Sequence, residues 1–118
     1  MTEKKFVALT FDDGPRASVT NRILDSLGQY GGRATFFMVG TNVPQNGEVI
    51  RRMVAQGCEV ANHTNDHKYI SKLGNEGIVS QVSAVNQKVA AACGVSPVVM
   101  RPPGGYIAVS YTHLRAHE

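Results

Sequence analysis

The sequence predicts an α/β fold, about four strand-then-helix units of a partial, distorted (β/α) barrel. Short apolar runs alternate with amphipathic stretches, and glycines close each stretch. Three polar clusters follow strand-like runs, at the end of a parallel barrel where active sites are built. With 118 residues, 42% of them hydrophobic and 18% charged, the chain has the length of one domain and is too apolar to stay disordered.

The elements follow in order. Phe6-Val7-Ala8-Leu9-Thr10-Phe11 reads as a buried strand, and Val19, Ile23, Leu24 and Leu27 then recur at helical spacing until Gly31-Gly32. Residues 34 to 39, Ala-Thr-Phe-Phe-Met-Val, form a second strand. Val49, Ile50, Met53 and Val54 mark a second helix ending before Gly57. Glu59-Val60-Ala61-Asn62 is a shorter strand, and Ile78, Val82, Val85 and Val89 trace a third helix ending at Gly94. Val98-Val99-Met100 completes the order βαβαβαβ, with no internal repeat and no low-complexity linker.

The last nine residues, from Ser110 to Glu118, are polar and carry no closing apolar segment. They resemble translated sequencing-adapter tails. We expect residues 1–107 to belong to the domain and 108–118 to be a non-native or disordered tail.

A net charge of +3, from 12 Lys and Arg against 9 Asp and Glu, with no basic run longer than a pair, is too weak to argue for nucleic acid. Cys58 and Cys93 stand 35 positions apart and outside any C-x-x-C pair, so they read as small core residues. The start, Met1 to Lys5, shows no apolar stretch long enough for a signal peptide or a membrane span. The address of a longer parent, secreted or attached to the cell envelope, is left open, as is the oligomeric state.

Asp12 and Asp13 sit in Thr10-Phe11-Asp12-Asp13-Gly14-Pro15. On an extended chain neighbouring side chains point in opposite directions, so one acid can bind a metal while the other stays free. Taken alone, Asp-Gly-Pro is also an ordinary turn. The second cluster, Asn62-His63-Thr64-Asn65-Asp66-His67, sets two histidines four residues apart, which brings both imidazoles to one side if His67 begins a helical turn. With one Asp they make three protein ligands and an open position, the arrangement of a catalytic rather than a structural zinc site. The third, Arg101-Pro102-Pro103-Gly104-Gly105, joins a permanent cation to a rigid Pro pair and two residues whose backbone can approach a ligand closely.

Together these strings, T-F-D-D-G-P, H-T-x-x-H and R-P-P-G-G, resemble the first three motifs of the polysaccharide deacetylase family, carbohydrate esterases related to the nodulation chitooligosaccharide deacetylase. The resemblance runs from about Lys5 to Ile107. It implies a hydrolase that removes N-acetyl groups from N-acetylglucosamine-containing polymers such as peptidoglycan or chitin-like oligomers. It also implies Asp13, His63 and His67 as ligands of a divalent metal, zinc first, with cobalt, nickel or iron accepted by the same donors. Asp12 would be the general base and Arg101 its partner. The Gly104 N–H would lie in the oxyanion hole, where many relatives carry Tyr, and Thr64 would hold the loop between the histidines.

The family's later motifs, an Asp with a Trp and a Leu-x-His whose histidine is the general acid, have no counterpart here. The chain has no Trp, and His113 lies in the divergent tail. The resemblance therefore implies a C-terminally truncated piece, inactive or nearly so by itself. Other readings remain open: an O-acetyl xylan-type esterase, a non-catalytic sugar-binding relative, or a non-haem iron oxygenase, which shares the two-His, one-carboxylate set. The alternating βα pattern, the second Asp and the Arg-Pro-Pro string favour the hydrolase.

Overall fold

The computed structural model describes residues 7–105. It contains a three-stranded parallel sheet, β1 (Leu9–Gly14), β2 (Ala34–Met38) and β3 (Glu59–Asn62), in the spatial order β1-β2-β3. The connections run through α1 (Ala17–Tyr30) and α2 (Gly47–Ala55), and α3 (Asn75–Cys93) follows β3. Short 3₁₀ turns at Gly40–Asn42, Pro44–Asn46, Ile70–Lys72 and Pro103–Gly105 complete the path. The result is a partial α/β unit. No helix among the described residues is long and apolar enough to cross a membrane.

Each helix forms where an apolar stripe meets the sheet. Thr20, Leu24 and Leu27 on α1, Val49, Ile50 and Met53 on α2, and Ile78, Val85 and Val89 on α3 are the buried positions, which fall on one side of each helix through spacings of three, four or seven residues and the adjacent pair Val49-Ile50. Helix α1 stops because Gly31 turns left-handed at φ 67°, while the Gly32 N–H donates to the Leu27 carbonyl at 2.7 Å. Gly94, at φ 79°, ends α3 in the same way.

Register then divides the sheet into two faces. Thr10 pairs with Thr35 and Thr35 with Glu59, while Asp12 pairs with Phe37 and Phe37 with Ala61, so these six share one face. The opposite face carries Phe11, Ala34, Phe36, Met38 and Val60 into a core with Leu24, Ile50, Met53, Val85 and Val89. Phe11 stacks on Phe36 with ring centroids 5.4 Å apart. Both cysteines are free: Cys58 lies inside the core and Cys93 packs against it.

The structure departs from the sequence reading in two elements. The first strand is neither Phe6–Phe11 nor buried. It runs Leu9–Gly14, Leu9 is 44% exposed, and Phe6 lies outside the described residues. Among the described residues β1 pairs only with β2, so its outer edge and much of its helix-facing side have no cover. Asp12 and Asp13 consequently stand within the strand rather than after it.

The fourth expected strand, Val98–Met100, is reduced to one parallel bridge between Asn62 and Met100. Two backbone bonds define it, from Asn62 N to Val99 O at 3.1 Å and from Arg101 N to Asn62 O at 3.0 Å. Pro97 on one side and Pro102-Pro103 on the other lack the N–H groups that would extend the ladder.

Replacing Leu24, fully buried in the core, by Ala is expected to cost about 2–5 kcal/mol. Val19→Ala, at a half-exposed position of the same helix, should stay within about 0.5 kcal/mol. Urea denaturation of the two variants measures the difference.

Candidate active site

The site gathers at the C-terminal ends of the strands. At the end of β1 the pairing with β2 shifts between Asp12 and Gly14, leaving Asp13 as an extra residue at φ 73°. The bulge leaves the Asp13 side chain exposed, with Oδ1 beside the two histidines. Asn42 holds the bulge by donating its Nδ2–H to the Asp13 carbonyl at 3.0 Å. Asp12 keeps the regular alternation and shares a face with Thr10.

Asp13 Oδ1 lies 3.2 Å from His63 Nε2 and 3.1 Å from His67 Nε2. The two imidazole centroids are 5.1 Å apart at an interplanar angle of 65°. Their burial differs: the His63 side chain is 3% exposed, His67 44% and Asp13 69%. His63 Nδ1 is 2.6 Å from the Arg101 carbonyl oxygen. A carbonyl can only accept, so Nδ1 carries a proton and Nε2 is the nitrogen that faces Asp13.

A divalent cation fits this group. One donor atom from each of Asp13, His63 and His67 lies within 4.8 Å of the others. Tetrahedral zinc, about 2.0–2.2 Å from each donor, separates its ligands by roughly 3.3–3.5 Å, so the closest donors need move only a few tenths of an ångström.

The histidines do not meet by way of a helical turn. His67 stands in an irregular loop at φ 59°, and Thr64 also adopts positive φ, 65°. Two left-handed residues bend the loop back so that four positions of sequence return both rings to one oxygen. Each such non-glycine residue costs about 1–3 kcal/mol and persists only where its surroundings enforce it. Thr64 is fully buried: its carbonyl accepts from Gly40 N at 3.0 Å, its N–H donates to Asn62 Oδ1 at 2.9 Å, and its hydroxyl accepts from Lys68 N at 3.1 Å.

Arg101 joins the two halves of the site. Its Nη1 donates to Asp12 Oδ1 at 2.8 Å and to Thr10 Oγ1 at 3.0 Å, and the guanidinium lies 4.2 Å above the Phe37 ring centroid. Gly104, three residues on, has φ 69° and ψ 0° within the turn of Pro103–Gly105. The structure thus brings Asp13, His63 and His67 together, and Asp12 with Arg101.

Several residues of this neighbourhood escape sequence reading. Phe37, the surface under Arg101, looks like any strand hydrophobe. Asn62 is almost fully buried and donates its Nδ2–H to the Val82 carbonyl at 2.9 Å and to Asn86 Oδ1 at 3.0 Å, which ties the end of β3 to α3. A polar residue closing an apolar strand is the signal that could have marked it. Gly40 is buried against the histidine loop, where a Cβ would overlap the Asn65 carboxamide oxygen and lie 3.0 Å from its Cα.

A parallel α/β chain with a carboxylate and two histidines at the strand ends is thereby defined, and comparison with known proteins gives its family. The family model described as polysaccharide deacetylase matches residues 1–116. The chain is 40% identical over 104 residues to the peptidoglycan-N-acetylmuramic acid deacetylase PdaC of Bacillus subtilis, a stretch covering 88% of this chain and 22% of that protein. The solved PdaC structure superposes with a TM-score of 0.88 at 38% identity, over 92% of this chain and 54% of that one. A chitooligosaccharide deacetylase of Sinorhizobium fredii is 45% identical over 87 residues, 74% of this chain and 40% of its own length. A family 4 acetyl xylan esterase from Clostridium thermocellum, solved in complex with a cobalt ion, gives a TM-score of 0.89 at 34% identity over 92% of this chain and 54% of that one. The chain belongs to the polysaccharide deacetylase family. It spans about half the length of these solved relatives.

Gly40→Ala is expected to destabilise the fold by about 1–3 kcal/mol, because the methyl meets the Asn65 side-chain oxygen, which Lys88 holds in place, together with the Val85 side chain at 2.9 Å and the Asn65 Cα at 3.0 Å. Chemical denaturation checks the value.

Proposed function

We propose that the chain forms the first part of the catalytic (β/α) barrel of a metal-dependent polysaccharide deacetylase, acting on N-acetylglucosamine-containing polymers. The observation that carries this reading is Asp13 Oδ1 within 3.1–3.2 Å of two imidazole nitrogens, beside a second carboxylate held by Arg101. Asp13, His63 and His67 hold the metal, zinc by donor type. When bound it polarises the acetamide carbonyl and makes water a better nucleophile.

The chain's own residues supply the remaining roles. Asp12 accepts the proton of the attacking water, and Arg101 keeps the carboxylate aimed from its seat on Phe37. The backbone N–H of Gly104 donates to the oxyanion that develops on the carbonyl. The Arg101 carbonyl fixes the His63 tautomer and ring direction. Protonation of the leaving amine falls to a group outside the described residues.

The N-acetyl reading is supported by the peptidoglycan and chitooligosaccharide deacetylases among the relatives. The acetyl xylan esterase among the structures favours O-acetylated xylan as the second substrate. Acetate release from an N-acetylglucosamine oligomer and from acetylated xylan, compared on one preparation, separates them.

Calorimetric titration with zinc should show one ion bound per chain, and the double variant His63→Ala, His67→Ala should bind none. Equal affinity in that variant removes the assignment.

In a chain completed with a relative's C-terminal half, Asp12→Asn should lower acetate release by about 100-fold to 10,000-fold while zinc content stays unchanged. Loss of zinc in Asp12→Asn, with retention in Asp13→Asn, would reverse the two roles.

A further inference from the structure

Between the two histidines, Asn65 has every backbone polar group and its side-chain oxygen engaged by other elements. Its N–H donates to Gln81 Oε1 at 2.8 Å, its carbonyl accepts from Thr41 N at 2.8 Å, and its Oδ1 accepts from Lys88 Nζ at 2.6 Å. The same Gln81 oxygen also takes the N–H of Asp66 at 3.3 Å. Gln81 and Lys88 stand seven residues apart, two turns along one face of α3, and both are half-buried. One face of one helix thus grips consecutive peptide groups lying between His63 and His67.

We propose that Gln81 and Lys88 are positioning residues for the histidine pair, setting the placement of His67 relative to His63 and Asp13 and so the affinity for the metal. The inference rests on the metal-site reading above. Its physical basis is the left-handed backbone at Thr64 and His67, a conformation that a free loop would relax. The Arg101 carbonyl already orients His63. For the exposed His67 ring, the grip on Asn65 and Asp66 is the nearest anchor that reaches the loop from α3. Gln81 serves through an acceptor oxygen alone, so a carboxylate can replace it and an isosteric hydrocarbon cannot.

The test is zinc titration of the full 118-residue chain, with the visible absorption of its cobalt-loaded form as a second readout. Gln81→Leu should weaken zinc binding by about 10-fold to 100-fold and change the cobalt spectrum, as loss of an outer hydrogen bond to a metal ligand set does. Gln81→Glu, which keeps the acceptor, should restore both readouts toward those of the parent chain. Wild-type zinc affinity and cobalt spectrum in folded Gln81→Leu overturn the proposal, even where the metal-free variant melts at lower temperature. If Gln81→Leu does not fold, Lys88→Met decides: weakened zinc binding supports the proposal and unchanged binding overturns it. Absence of zinc binding by the unaltered chain brings down the metal-site reading and this inference together, an outcome distinct from unchanged affinity in the variants.

Discussion

Arg101 is the residue on which the two halves of the site depend. Its main-chain N–H bonds to the Asn62 carbonyl, its carbonyl takes the His63 imidazole, and its guanidinium lies on Phe37 while bonding Thr10 and Asp12. The segment that carries it therefore needs no strand of its own. One bridge at Met100 suffices, because the side chain finishes the docking from the other direction. Lysine could not substitute, since a point cation lacks both the flat face that stacks on Phe37 and the planar array of donors. The arginine side chain remains 40% exposed, so its contacts contribute direction more than stability.

Backbone strain has been placed in the same region. All three described non-glycine residues with positive φ, Asp13, Thr64 and His67, belong to the site or link its parts. Each conformation does geometric work. Asp13 stands at a bulge beside the two imidazoles while Asp12 keeps the alternation of the strand, and the bends at Thr64 and His67 return the loop to Asp13. The cost is offset where the fold is best packed. Met38, Ile50, Met53 and Val85 are fully buried beneath the ends of β2 and β3, and Asn62 and Thr64 are buried with their polar atoms bonded.

Local patterns in the sequence were enough for the helices, because apolar spacing and terminal glycines are properties of a few adjacent turns: the stripes through Leu24, Ile50 and Val85 and the stops at Gly31 and Gly94 appear as expected, except that Val19 is half-exposed and Thr20 is buried in its stead. The short strand from Glu59 to Asn62 was legible too. Burial of the first strand was not, because an apolar run reports what a residue type prefers and not which neighbour covers it. The histidine spacing pointed to the right ring placement through the wrong local structure. Four residues return to one side in a helix, but here two left-handed residues achieve it, and a β-branched Thr gives no sign of that conformation while His gives only a weak one. Gln81 and Lys88 were invisible for a related reason: polar residues on an amphipathic helix read as a solvated face, and only the folded loop shows what they hold.

The site is held unevenly. His63 is enclosed, its Nδ1 met by a carbonyl from one direction and its Nε2 by Asp13 from the other. Asp13 and His67 are both exposed, and each depends on a loop or bulge gripped at a distance: Asp13 through Asn42, His67 through Asn65 and Thr64. A shift of a few tenths of an ångström among the three donors therefore need not disturb His63, since it can be taken up by the two side chains with room to move. The enclosed imidazole fixes where the three donors meet, and the exposed pair can shift without repacking the core, while Asp12 is held by an arginine anchored to the neighbouring strand.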